Sequence, residues 1–201
     1  MTFAAVSEVT PSLHAHHGRL LEGMARAVAA KGYADTTIAD IVREAAVSRR
    51  SFYEHFATKA DCLIALYEAA SSQALAVLSA AVDPAQPWQA QVEHAVAAYL
   101  DVLSQDPVLL RTLFVEVLGL GLPGLAVRRR VNREIAGFIQ LATAGAGGAH
   151  LTPDMAMTVV GGINELILQA IEEDRGGDLQ ALVAPATRLV RAVAGAPQAA
   201  P

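Results

Sequence analysis

The sequence predicts an all-α protein of about nine helices, in which an N-terminal three-helix unit precedes a larger helical domain. Three observations support this fold class. Hydrophobic residues make up 53% of the 201 residues and aromatic residues only 5%, and alanine and leucine, which favour helices, dominate the apolar set. Apolar residues recur at helical spacing along most of the chain. Proline- and glycine-rich breaks divide it into segments of helix length.

The first helix is predicted from one face of apolar side chains at positions i, i+4, i+7 and i+8. It starts near Ser12 and stops at Gly32, because glycine commonly follows the last turn of a helix. The apolar face consists of Leu20, Met24, Ala27 and Val28.

Three capping residues, Thr37, Ser48 and Thr58, predict where the next three helices begin. Thr37 and Thr58 are each followed three positions later by an aspartate, which is the pattern of a capping box. The helix after Ser48 is short and covers residues 49–55, and the helix after Thr58 runs to about residue 80. Three caps in register with three apolar faces are a stronger signal than any single cap.

Proline- and glycine-rich breaks divide the remaining chain into five further helices. The breaks are residues 83–87, 119–124, 144–150 and 174–178. The helices predicted between them cover residues 88–104, 107–119, 123–143, 152–173 and 178–194. Residues 1–11 are expected to form a loose arm, and residues 196–201 a disordered tail.

The second and third helices, separated by the short sequence AAVS, predict a helix-turn-helix. In this motif the second helix enters the major groove of DNA and presents its first residues to the base edges. Arg49, Arg50 and Ser51 occupy that position, and arginine can pair with two acceptors of guanine. Tyr53 and His55 lie further along the same helix, where they could donate hydrogen bonds to phosphates.

Lys59, at the start of the fourth helix, is placed to contact another phosphate. Phe52 and Phe56 are four residues apart and are expected to face inward. The charge distribution agrees with a small DNA-binding face. Residues 1–60 carry seven basic and six acidic residues, whereas residues 61–201 carry eight basic and fourteen acidic residues. DNA binding would therefore depend on a few local cations.

A long, gapless stretch, KGYADTTIADIVREAAVSRRSFYEHFATKADCL at residues 31–63, resembles the DNA-binding region of TetR-family transcriptional regulators. The later segments PWQAQVEHAVAAYL, LLRTLFVEVLGLG and GGINELI resemble, more loosely, a branch common in actinobacteria. The resemblance implies an all-helical homodimer with a ligand pocket among helices 4–8 and a dimer interface on helices 8 and 9. The positions that match DNA-facing residues of the family are Thr37, Arg49, Arg50, Ser51, Tyr53, His55 and Lys59, with Ser48 matching a cap.

The chain departs from the family at Ala46, where the turn usually contains glycine. A left-handed conformation costs a residue with a side chain ~1–2 kcal/mol. We therefore expect a strained or altered turn before the third helix.

The ligand pocket is expected in the layer formed by helices 5 and 6, which carry more apolar residues than one solvent-facing layer needs. The expected lining residues are Leu100, Leu103, Leu110, Arg111, Phe114, Glu116 and Leu118. Arg111 and Glu116 could orient a ligand, although Glu116 could equally be a structural partner of an arginine. The competing interpretation is that this layer is ordinary core.

The dimer interface is expected on helices 8 and 9, because helix 8 is apolar on more than one side and must be buried on both. The expected interface residues are Val159, Ile163, Leu166, Ala170, Leu182 and Leu189. Gly161 and Gly162 would allow two helix backbones to approach closely.

Together these patterns indicate a DNA-binding regulator with domains at residues 1–60 and 61–201. Its expected partners are double-stranded operator DNA, a second copy of the chain and an unidentified small apolar ligand, with no cofactor, metal or membrane partner. A cytoplasmic location is expected, since no secretory signal is apparent. No catalytic signature is visible either. The alternative function is a helical homodimeric interaction protein whose DNA-binding unit is non-functional.

Overall fold

The computed structural model describes residues 9–83, 85–144 and 151–195, with side chains from residue 15 onward. Within these ranges the chain forms nine α-helices and no β-strand. The helices are α1 (Val9–Asp35), α2 (Ile38–Ala45), α3 (Arg49–His55), α4 (Lys59–Ala80), α5 (Trp88–Ser104), α6 (Pro107–Phe114), α7 (Leu122–Thr143), α8 (Pro153–Glu172) and α9 (Val183–Ala194). Two short 3-10 helices cover Glu116–Leu120 and Gln180–Leu182. The predicted all-α fold class is confirmed.

Most predicted helix boundaries agree with the observed ones within a few residues. The ninth helix was predicted to begin at residue 178 but begins at Val183, after the second 3-10 helix. The sixth helix was predicted to reach residue 119 but ends at Phe114 and continues as the first 3-10 helix. Glycines at 119 and 121 explain the difference, because glycine disfavours the α-helix and Gly121 adopts a positive φ of 65°. The predicted arm, the link at 144–150 and the tail lie wholly or largely outside the described residues.

The chain forms two compact units, and each is assembled from two segments. Unit 1 comprises Met1–Ala69 and Thr112–Leu125, and unit 2 comprises Ala70–Arg111 and Ala126–Pro201. Three helices, α4, α6 and α7, therefore begin in one unit and end in the other. The predicted boundary between residues 60 and 61 falls inside the first segment of unit 1, and the assignment of functions to the two parts stays a prediction.

The core of unit 1 is built where α1 crosses α2, with α3 and the start of α4 packed beside them. Its buried side chains include Leu20, Met24, Val28, Ile41, Phe52, Phe56, Cys62 and Leu63. Gly23 sits at the crossing, where a Cβ atom would lie only 2.7 Å from the carbonyl oxygen of Ile41. Only glycine allows so close an approach of the two backbones.

α4 is partly buried, through Cys62, Leu63, Leu66, Tyr67, Ala74 and Leu78. By length and composition it is the one described helix that could cross a membrane, but core helices have the same composition. Cys62 is buried, with its Sγ 3.8 Å from the carbonyl oxygen of Leu20. Burial, reinforced by the charge of Asp61, raises the pKa of the thiol to about 12. Cys62 is therefore an unreactive core residue, in line with the structural role expected of a small buried cysteine.

Unit 2 has its core between α5, α8 and α9. Its fully buried side chains include Leu100, Leu110, Val159, Ile167 and Leu179. At Gly162 of α8, a Cβ atom would meet Leu189 Cδ2 of α9 at 2.8 Å. The close approach predicted for Gly162 thus occurs between two helices of the same chain.

Candidate nucleic-acid interface and ligand cavity

The start of α2 is held by a complete capping box. The Thr37 hydroxyl accepts a hydrogen bond from the Asp40 backbone N–H at 3.2 Å, and the Asp40 carboxylate accepts one from the Thr37 backbone N–H at 2.9 Å. The carboxylate also forms ion pairs with Lys31 at 2.5 Å and with Arg43 at 3.0 Å. Hydrogen bonds from Lys31 and Thr37 hold the pKa of Asp40 well below its usual range. Lys31 and Arg43 are consequently occupied within the unit.

The turn between α2 and α3 keeps the left-handed geometry despite its alanine. Ala46 has φ 49° and ψ 47°. Its N–H donates to the Arg43 carbonyl at 3.2 Å, and the Val47 N–H donates to the Val42 carbonyl at 3.1 Å. This is the hydrogen-bond pattern with which helices commonly end in a left-handed residue.

Arg19 of α1 stabilises the same turn, a role that no local sequence pattern predicts. Its Nε donates to the Ala45 carbonyl at 3.0 Å and its Nη2 to the Ala46 carbonyl at 2.5 Å. Carbonyls at a helix C-terminus lack partners within the helix. The guanidinium therefore supplies hydrogen bonds at the point where the alanine is conformationally strained.

α3 begins at the predicted cap and is anchored by its aromatic residues. The Ser48 Oγ accepts a hydrogen bond from the Ser51 N–H at 3.0 Å, and the two serine hydroxyls lie 2.9 Å apart. Phe52 is fully buried and Phe56 nearly so, as the sequence predicted for both. This anchoring fixes which face of α3 points to solvent.

The solvent-facing side of α3 carries Arg49, Arg50 and Tyr53. Arg49 is exposed and forms no hydrogen bond or ion pair with any described residue. Arg50 pairs with Glu54 at 3.0 Å, although 89% of its side chain is exposed. Exposed pairs of this kind contribute only ~0–1 kcal/mol, so Arg50 can exchange Glu54 for another anion. Tyr53 is 53% exposed and rests edge-on against Phe52.

His55 lies on a different side of α3 from the arginines. It is half-buried, and its ring centroid is 5.7 Å from that of His17 in α1. Among the residues with described side chains, no group of three or more histidines, cysteines or carboxylates could hold a metal ion. The phosphate contact predicted for His55 stays a prediction.

Lys59 is bound to the end of α1 rather than extended into solvent. Its ammonium donates to the carbonyls of Tyr33, Ala34 and Thr36 at 3.0, 3.1 and 2.8 Å, which uses all three of its N–H groups. The same ammonium lies 4.4 Å from the centroid of the Tyr33 ring. These carbonyls are accessible because the backbone leaves the helical conformation at Gly32, where φ is 78°. A phosphate contact would have to compete with this arrangement.

Glu116 contacts the same part of α1 from the other side. Its Oε2 accepts a hydrogen bond from the Tyr33 backbone N–H at 2.9 Å. Of the two roles considered for Glu116, the structure shows the structural one, although its partner is a backbone amide of unit 1 and not an arginine. Tyr33 is thus held through its N–H by Glu116 and through its carbonyl by Lys59.

Residues 20–66 match the family model described as bacterial regulatory proteins, tetR family. This range contains α2, α3 and all eight residues that were predicted to face DNA or cap the recognition helix. The helix-turn-helix of this chain is therefore similar to that of TetR-family regulators. The predicted resemblance to TetR-family regulators is confirmed, and it rests on the helix-turn-helix.

Three relatives illustrate how far the similarity extends. The uncharacterized HTH-type regulator YxbF of Bacillus subtilis (strain 168) is 32% identical over 76 residues, which are 38% of this chain. The chain spans only about a fifth (20%) of the length of that curated relative. The regulator FadR of Bacillus subtilis in complex with stearoyl-CoA has a TM-score of 0.76 at 17% identity, covering 89% of this chain and 98% of that one.

The fatty acid degradation regulator FadR of Bacillus halodurans has a TM-score of 0.74 at 19% identity, covering 87% of this chain and 93% of that one. At these identities the two structures show that the fold of these regulators extends over both units of the chain.

Unit 2 contains a cavity of about 570 Å³ of empty space, part of it open to solvent. Its walls come from α4, α5, α7, α8 and α9, represented by Leu78, Tyr99, Phe138, Asn164 and Val190. Almost all of the lining surface is apolar. A concave apolar site with a few polar groups is the usual form of a small-molecule pocket.

None of the seven residues predicted for the pocket lines this cavity. Leu100 and Leu110 are fully buried in the core, Leu118 is partly exposed, and Arg111 is exposed. Leu103 and Phe114 are half-buried, and Glu116 belongs to unit 1. The physical reason is that apolar side chains of a helix can pack in the core instead of lining a cavity. Composition alone therefore does not distinguish a core residue from a cavity-lining residue.

Most residues predicted for the dimer interface are already buried within one chain. Val159 and Ala170 are fully buried, and Ile163 and Leu182 are each 8% exposed. They pack in the core of unit 2 and leave little surface for a second copy. Leu166 and Leu189 are half-buried and retain exposed surface, so the interface on α8 and α9 stays a prediction that now rests on them.

Proposed function

We propose that the chain is a sequence-specific DNA-binding regulator of transcription, which acts as a repressor in the cytoplasm and is released from DNA by a small apolar ligand. The observation that carries the proposal is the outer face of α3. Buried Phe52 fixes the orientation of the helix, and Arg49 extends from its first turn with no partner in the described chain. This arrangement suits a helix that reads base edges from its N-terminal end.

The arginines and Tyr53 are proposed to contact different parts of the DNA. Arg49, as the unpaired cation, reads a base by bidentate hydrogen bonds, an interaction worth ~1–3 kcal/mol of discrimination. Arg50 reaches DNA after exchanging Glu54 for a phosphate or a base. Tyr53 and Ser51 of α3, with the cap residues Thr37 and Ser48, contact phosphates, which positions the helix without reading sequence.

The chain is proposed to act as a two-fold dimer through α8 and α9. A two-fold protein reads a two-fold site whose half-sites are separated by about one helical turn, ~34 Å, or more. Leu166 and Leu189 are the predicted interface residues that keep exposed surface. Leu166→Glu would place a charge in the interface but not in the core of the chain, so sedimentation should detect folded monomer.

Ligand release is proposed to act through α4 and α7. Leu78 of α4 and Phe138 of α7 line the cavity, and both helices also have residues in unit 1. α4 begins there with Lys59, whose ammonium holds the end of α1. A ligand that shifts α4 at the cavity would therefore disturb the positioning of the helix-turn-helix. The coupling needs only a few kcal/mol, about 1–3.

The related FadR of Bacillus subtilis was crystallised with stearoyl-CoA, which supports a molecule with an apolar part as the ligand class. A second candidate function, a helical interaction protein without DNA binding, has no such support. It would leave the unpaired Arg49 unexplained.

The test is footprinting of the purified protein on DNA from upstream of its own gene. We expect protection of two symmetric half-sites, which a ligand of the cavity abolishes. Protection of a single asymmetric half-site would contradict the dimer, and the absence of any protection on genomic fragments would favour the interaction protein.

A further inference from the structure

The cavity of unit 2 has no charged side chain in its wall. Eleven of its thirteen lining residues are apolar, and Tyr99 and Asn164 are the two others. Moving an ionised group into such surroundings is costly unless an opposite charge or several hydrogen bonds compensate it. The part of a ligand that this cavity encloses must therefore be uncharged.

Asn164 is the polar feature of this wall that lacks a full set of partners. It is only 4% exposed, and it lies in α8 with its Nδ2 donating to Asn132 Oδ1 of α7 at 3.3 Å. Its own Oδ1 accepts no hydrogen bond from the described residues. Buried amides normally satisfy both ends, because an unmet donor or acceptor is destabilising. A buried amide that lines a cavity with one free end is therefore suited to bind a ligand.

We propose that the cavity binds a neutral apolar molecule bearing one hydroxyl group, which hydrogen-bonds to the side-chain amide of Asn164 while the apolar body fills the space between α5 and α7. A hydroxyl both donates and accepts, so it can pair with either end of the amide. This proposal names the ligand class for the release step and therefore rests on the proposed function. It requires no charged group on the ligand inside the cavity.

The chemistry predicts an order of affinities among simple probes of equal chain length. 1-Octanol should bind more tightly than octyl methyl ether, which cannot donate, by about threefold to tenfold, the value of one hydrogen bond. Octanoate and octylamine should bind at least tenfold more weakly than 1-octanol, because their charges would remain uncompensated.

The experiment is titration calorimetry of the four probes with the full chain in the absence of DNA. Asn164→Leu removes the amide at similar volume and should equalise the affinities for alcohol and ether. Asn132→Ala is the control: it removes the partner of Asn164 and keeps the cavity amide, so the preference for alcohol should persist. If Asn164→Leu does not fold, Asn164→Ala serves the same purpose.

Equal or tighter binding of octanoate, a preference for alcohol that survives both Asn164 substitutions, or no binding of any probe would overturn the proposal. Binding is measured on the free protein, so its outcome is separate from that of DNA release. If 1-octanol binds as predicted and leaves DNA affinity unchanged, the ligand class stands and the release step of the proposed function fails.

Discussion

At the residue scale, the unit that contains the helix-turn-helix depends on long side chains that hydrogen-bond to backbone carbonyls far away in sequence. Arg19 holds the carbonyls at the end of α2, and Lys59 holds those at the end of α1. Neither role is visible in the sequence, because both depend on which helix ends meet in space. The capping boxes were predictable, since they join residues only three positions apart.

The left-handed Ala46 gives the first prediction. Ala46→Gly should raise the free energy of unfolding by about 1 kcal/mol, because relief of strain outweighs the greater freedom of glycine in the unfolded chain. Chemical denaturation measures the change. The matched control is Ala39→Gly, which lies in the helical part of α2 and is exposed, so it should destabilise by about 0.5–1 kcal/mol. The same sign for both substitutions would contradict the role of the turn.

Lys59 gives the second prediction, because its ammonium is committed to three carbonyls. Lys59→Met keeps the length of the side chain and should lower the free energy of unfolding by about 1–3 kcal/mol, the range for hydrogen bonds to charged groups. If Lys59 contacts a phosphate instead, the substitution will leave stability unchanged and lower the salt dependence of DNA binding by about one ion. Denaturation and a salt titration of DNA affinity distinguish the two roles.

At the element scale, local signals were sufficient to predict the helices, and tertiary packing determined the rest. Caps and apolar faces predicted α3 at residues 49–55, where the structure has Arg49–His55. The sixth helix was predicted too long because its apolar face continues into the glycine-rich segment. The cavity was assigned to other residues because its wall draws on five helices, and their arrangement is not encoded in any local pattern.

The crossing of α1 and α2 gives a prediction about packing. Gly23→Ala should destabilise unit 1 by about 1–3 kcal/mol, because its Cβ would press on the backbone of α2. Gly18→Ala is the control in the same helix: Gly18 is exposed, with nothing within 4 Å of its Cβ position, so alanine there should stabilise by about 0.5–1 kcal/mol. Thermal melts of both variants measure the difference. Equal stability changes in Gly23→Ala and Gly18→Ala would show that α1 and α2 can move apart without loss of stability.

The start of α2 gives a prediction about pH. The pKa of the Asp40 carboxyl is lowered by Lys31 and Thr37, so the folded state favours its ionised form. The contribution of ionised Asp40 to the free energy of unfolding is complete above the pKa of an aspartate in the unfolded chain, about 3.9. It is lost as the pH falls toward the lower pKa of Asp40 in the folded protein. The stability difference between wild type and Asp40→Asn should therefore be constant at neutral pH and shrink below about pH 4. If the stability difference between wild type and Asp40→Asn increased as the pH fell, the lowered pKa of Asp40 would be contradicted.

At the scale of the whole molecule, two helices that contribute to the cavity wall also have residues in the unit proposed to bind DNA. α4 and α7 each have residues in both units, and each contributes to the cavity wall. Regulation by a ligand then requires only that the two states of these helices differ in affinity for the ligand. The resemblance to TetR-family regulators predicted a DNA-binding part and a ligand-binding part. The position of the cavity is known only from the structure.

α3 is proposed to read DNA sequence through Arg49, which has no partner among the described residues. The most direct measurement is a fluorescence-anisotropy titration of wild type and Arg49→Ala on the footprinted operator and on a scrambled duplex of the same length. The control is Arg129→Ala, which removes an exposed arginine of α7. We predict that Arg49→Ala weakens operator binding by about 1–3 kcal/mol and reduces the preference for operator over scrambled DNA, while Arg129→Ala preserves that preference. Equal loss of affinity for both duplexes in Arg49→Ala, or no preference in wild type, would contradict the account.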